Sequence, residues 1–213
     1  MGLGLLFLSL RTDDTDTKKQ IVAISLLAYL FYGNGIYVIE RVYNMLYLLY
    51  MAIVAFSFWS IVYGLVNIKP EVVRQMEMPK WVRNLSAGCL LFTAALFYVL
   101  WMGQLFPLMS TGEKIEFFYS IFILDMVFVL PAILISSALL IKKNKFGLIF
   151  APILFFKAFT LLFSVGIGGL LKPLYSQAAN QGETVFYLSL SIIYLAFALL
   201  NFWKISFQQQ EKL

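Results

Sequence analysis

Apolar runs of about twenty residues, separated by clusters of charge, constrain this chain more than any other feature. A helix rising about 1.5 Å per residue needs roughly that many to cross the hydrocarbon core of a bilayer. Six such runs stand out, at residues 21–39, 44–66, 82–108, 118–141, 147–171 and 184–203. Inside hydrocarbon each backbone N–H and C=O must be satisfied within its own segment, so the runs read as helices. Composition agrees, since 62% of the residues are hydrophobic and only 13% charged, whereas a soluble domain carries about a quarter charged residues. The expected fold class is all-α: a polytopic transmembrane helical bundle of six helices.

Lysine and arginine positions indicate orientation. Arg11, Lys18, Lys19, Lys69, Arg74, Lys80, Arg83, Lys142, Lys143, Lys145, Lys204 and Lys212 would share one side, leaving Arg41, Lys114 and Lys172 for the other. The positive-inside rule then predicts N-in and C-in in the cell (plasma) membrane, with both termini cytoplasmic, as an even helix number requires. Three regions are expected: an N-terminal interfacial stub and cytoplasmic segment over 1–20, a six-helix transmembrane domain over 21–204, and a cytoplasmic tail over 205–213. The stub rests on residues 2–10, which are apolar, too short to span, and without a basic n-region or cleavage site. A shortened version of a longer first helix is the alternative. In the longest connection, 67–81, Pro70 and Pro79 serve as helix stops, and Val72, Val73, Met76, Met78 and Trp81 are expected along the membrane surface.

Some chemistries are excluded by residue type. The chain has no histidine and a single cysteine, Cys89, which removes bis-His haem ligation, His-based acid–base catalysis and Cys-x-x-Cys redox chemistry. No two carboxylates fall at ligand spacing on one face within a span. Accordingly no catalytic residue, metal site or cofactor is assigned. The basic residues lie at helix ends rather than in one patch, so no nucleic acid is expected as a partner.

Ionisable groups within spans are costly and mark candidate sites. Asp125 lies about seven residues into the fourth span and Lys157 about ten into the fifth. Their axial offset is roughly 11 Å, too far for a direct ion pair without helix tilt or a bridging water. Thr160, Ser164 and Gly168 continue the face of Lys157 at i+3, i+7 and i+11, while Gly166, Gly168 and Gly169 permit close helix packing. Pro131 is expected to kink the fourth span and free the Val127 carbonyl. Gly33-Asn34-Gly35 reads as an interruption of the first span. Asn34, Glu40, Arg41, Asn44, Gln104 and Asp125 share one level, which suggests an outward-facing polar cavity. Tyr43, Tyr47, Tyr50 and Phe58 form an aromatic stripe, read as packing or an interfacial belt before ring-stacking on a ligand.

Several of these residues also carry a likeness. Ala28-Tyr29-Leu30-Phe31-Tyr32-Gly33-Asn34, Tyr43-Asn44, and Leu100-Trp101-Met102-Gly103 followed by Pro107 are its first part. Leu124-Asp125 with Pro131, a basic loop, Gly147, and Leu154 to Lys157 are its second. Over roughly residues 27–168 the chain resembles a family of uncharacterised bacterial multi-pass, about six-helix, integral membrane proteins. The resemblance implies a membrane location, importance for Asn34, Trp101, Asp125 and Lys157, and a complete helix before the first span where this chain has only 2–10. It implies no activity.

The expectation is binding or transport of a small molecule or ion through an outward-facing intramembrane cavity, with Asn34, Trp101, Gln104, Asp125, Lys157, Thr160 and Ser164 as ligand-binding residues. A non-catalytic assembly or accessory subunit is the alternative, and a lipid-acting membrane enzyme the third. The expected partners are the lipid bilayer, the ligand, and a second copy meeting the glycine-rich fifth helix.

Overall fold

The computed structural model describes residues 17–115, 118–175 and 180–207. The stub at 2–10 and the tail beyond 207 lie outside them. In chain order the helices are α1 (Thr17–Ile39), α2 (Tyr47–Val66), the short α3 (Pro70–Gln75), α4 (Lys80–Thr111), α5 (Tyr119–Ile141), α6 (Gly147–Leu171) and α7 (Gln181–Lys204). All but α3 are long and apolar enough to cross a membrane. Among the described residues the fold is an all-α bundle with six such helices.

Span ends differ from expectation by a few residues, for local reasons. Asn44 is not helical because its side-chain oxygen accepts the Leu46 N–H at 2.9 Å, an Asx-turn that delays α2 to Tyr47. Asn180 accepts the Glu183 N–H at 3.3 Å and starts α7 three residues early. Pro107 is carried inside α4, which runs on to Thr111 and stops at left-handed Gly112.

The expected interruption at Gly33-Asn34-Gly35 does not occur. Helix α1 is continuous, and the Asn34 amide donates to the Leu30 carbonyl at 2.9 Å. Without competing water, an intact backbone ladder outweighs the weak helix propensity of glycine and asparagine.

Helix α6 is the hub. It packs along α7 and against α1 and α5, with a lighter contact to α4. Gly166 and Gly169 make the α7 contact possible: a Cβ on Gly166 would lie 2.6 Å from the Leu188 side chain, and one on Gly169 would collide with Thr184. A Cβ on Gly168 would meet nothing within 4 Å. Two of the three glycines are therefore occupied within the chain, and Gly168 alone remains for contact with a second copy. Helix α2 packs chiefly on α1, and Ser57 is its one buried residue. Its aromatic stripe joins α1, with Tyr50 on Tyr37, Phe58 on Phe31, and the Tyr47 hydroxyl bonded to the Val38 carbonyl.

The connection between α2 and α4 also departs from expectation. Val73, Met76 and Met78 are buried against the bundle end rather than laid on a membrane surface. Met76–Glu77 (β1) pairs antiparallel with Ser206–Phe207 (β2), and the Lys145 ammonium donates to the Met76 carbonyl at 2.6 Å. Backbone pairing and a charged donor fold the segment inward, where its apolar side chains escape water. The Lys18 ammonium donates to Phe202 at 2.9 Å, so the start of α1, the α5–α6 loop and the end of α7 meet at this one, basic end.

At the opposite end Phe118, at φ +68, begins α5 without a side-chain cap. Glu40 substitutes for one by accepting the Ser120 N–H at 3.1 Å, and the Tyr119 hydroxyl bonds the Ile39 carbonyl. A carboxylate at a helix N-terminus also opposes the helix dipole favourably.

Candidate functional site

The fourth span is where proline changes the backbone. Pro131 cannot donate to Val127, and α5 answers with a π-helical turn over Asp125–Val129, in which Leu130 N–H reaches back five residues to the Asp125 carbonyl. Expectation had placed a kink here; the finding is a one-residue widening that begins at the carboxylate residue, Asp125. Such turns re-aim side chains and recur at functional sites.

Asp125 is 9% exposed and accepts the Trp101 indole N–H at 2.9 Å. Trp101 is held edge-on by Phe122 at 5.3 Å. Lys157, 6% exposed, rests its ammonium 3.8 Å from the centre of the Tyr32 ring. The Tyr32 hydroxyl lies within interaction range of Asp125, which acts on Lys157 electrostatically rather than through a contact ion pair. Four helices thus contribute one group each: Tyr32 from α1, Trp101 from α4, Asp125 from α5 and Lys157 from α6. The Lys157 ammonium thus meets an aromatic ring of α1 rather than a carboxylate. A desolvated ammonium on a π face gains about 2 kcal/mol or more.

A cleft lies beside this cluster, between the second halves of α1 and α6. Its volume is about 550 Å³, and Tyr29, Gly33, Asn34, Tyr37, Leu161 and Ser164 are among its walls. The Tyr29 and Ser164 hydroxyls share a hydrogen bond of 2.8 Å across it. Leu161, in the wall of the cleft, stands one turn from Lys157 on α6.

The seven residues expected to form one site therefore divide. Trp101, Asp125 and Lys157 meet in the cluster, whereas Asn34 and Ser164 line the cleft. Thr160 is buried and spends its hydroxyl on the Lys157 carbonyl at 2.9 Å. Gln104 is exposed on α4 and is not among the residues that line the cleft. Of the polar groups expected at one level, Glu40 caps α5, Asn44 makes its turn, and Arg41 is exposed, with its pKa raised by the Tyr119 hydroxyl. Tyr29 and Tyr32 were not among the expected site residues. With Ser25 they form a polar stripe at i, i+4 and i+7, the spacing that could have singled them out.

Among the described residues no group of three or more Cys, Asp or Glu side chains could hold a metal ion. No family model matches the chain, and neither does any curated protein or solved structure.

Proposed function

We propose that this protein binds a small molecule or ion within the membrane, with the α1–α6 cleft as the binding site and the Tyr32–Trp101–Asp125–Lys157 cluster beneath it as the responsive element. One observation carries the reading: an ionisable pair buried at membrane depth, drawn from separate helices, stands one turn from a cleft of ligand size. Intramembrane charges are expensive and serve binding or coupling where they occur, and clefts of about 300–1,000 Å³ suit small ligands. Transport coupled to proton movement through Asp125 is the finer form of this reading. Placement of both termini in the cytoplasm of a bacterial plasma membrane belongs to the same proposal, supported by the loop charges and the resemblance. It is tested in liposomes holding the purified full chain, by ligand-dependent stabilisation and by flux at several pH values. Absence of both from a broad panel of solutes would overturn it.

An accessory-subunit role is the second reading, favoured by α2, a whole helix with a single buried residue. On that reading Asp125→Asn and Lys157→Met change recovery of a partner and leave flux untouched.

A further inference from the structure

We infer that the cleft takes an uncharged amphiphile, one hydroxyl or carbonyl head on an apolar tail, rather than an ion or a charged solute; the inference rests on the cleft being the binding site. Among the described residues its walls contain no carboxylate, lysine or arginine. The polar groups they offer are neutral: the Tyr29 and Ser164 hydroxyls, the Asn34 amide and Tyr37. The Tyr29–Ser164 bond uses one hydroxyl hydrogen and leaves the other for a ligand. Asn34 spends one amide hydrogen on Leu30 and keeps its carbonyl oxygen. Donor and acceptor capacity for one small head thus remains, while Leu30, Ile36, Leu161 and Val165 supply apolar contact.

The adjacent cation does not alter this. Lys157 is engaged with the Tyr32 ring, Tyr32 is only 4% exposed, and neither residue is among those that line the cleft. A charged head there would lose hydration without gaining a counter-charge from the cleft walls, which disfavours it against a neutral head. Ser164 lies seven residues from the end of α6, roughly 10 Å deep, where hydrated ions are scarce and membrane-dissolved amphiphiles are abundant. Gly33 makes the room: a Cβ there would meet nothing within 4 Å.

The full chain in lipid nanodiscs is titrated with three probes sharing a ten-carbon tail, 1-decanol, decanoate and decyltrimethylammonium, at equal bilayer mole fraction. Thermal unfolding is compared for wild type and Gly33→Leu, whose Cβ meets nothing within 4 Å, whose longer side chain is directed at filling the cleft, and which favours the helix. Decanol is expected to raise the wild-type midpoint by about 3 °C or more, to leave Gly33→Leu unmoved, and to exceed both charged probes. If a charged probe stabilises wild type best and Gly33→Leu abolishes the effect, the cleft remains a binding site and the neutral-ligand inference is overturned. If no probe separates the two proteins, the inference falls together with the cleft reading.

Discussion

Trp101 and Asp125 offer the sharpest test at the scale of single residues. Trp101→Phe keeps an aromatic ring against Phe97 and Phe122 but deletes the indole donor. It should destabilise the protein by about 1–3 kcal/mol, the cost of leaving a buried acceptor short of a partner. Unfolding in mixed micelles measures this, and unchanged stability would remove Trp101 from the cluster. Asp125 and Lys157 should also be coupled: a double-mutant cycle of Asp125→Asn and Lys157→Met is expected to give an interaction of about 1–3 kcal/mol. Additivity in that cycle would mean that the carboxylate and the ammonium do not sense each other. Both ionisable residues were legible in the sequence because charge inside an apolar run is conspicuous. Tyr32 was not, since one tyrosine among twelve looks like packing until its ring is found under an ammonium. Gln104 was selected by depth alone, and depth along a helix says nothing about the direction a side chain faces; in the structure it is exposed.

Elements were easier to read than their faces. Helix positions follow from apolar length, and the six spans agree with expectation to within a few residues. Which sides meet depends on packing, as the glycines of α6 show. Gly166→Ala should lower stability by about 1–3 kcal/mol, because its methyl would drive into Leu188, whereas Gly168→Ala should be neutral or slightly stabilising through helix propensity. Equal effects at the two positions, again by unfolding in micelles, would contradict the α6–α7 interface. The π-turn lay beyond sequence reading in another way. Pro131 announces a lost hydrogen bond, but whether the backbone bends or slips by one residue is decided by the neighbours that hold Tyr119–Leu124 in place. Here Leu124 packs on Gly35 of α1, with 3.3 Å between Leu124 and a Cβ built at Gly35.

For the whole molecule, the claim to test is which loops share a side. In a chain with Cys89 replaced by Ala, a cysteine at Met45 should react with an impermeant maleimide on intact cells. One at Lys143 should react only after the membrane is opened. Both sites are exposed loop positions, so failure to label would not come from burial. Labelling of both from outside would refute the six-span arrangement, and a reversed pattern would refute the orientation. The β1–β2 pair at the basic end has a consequence in time. Met76–Glu77 is made when two spans exist, but Ser206–Phe207 follows the sixth. During synthesis the first strand must wait through four further membrane crossings with its edge unpaired and Met76 uncovered. Closing that end is thus among the last events of assembly, and a ribosome stalled before residue 206 would hold a bundle still open on its basic side.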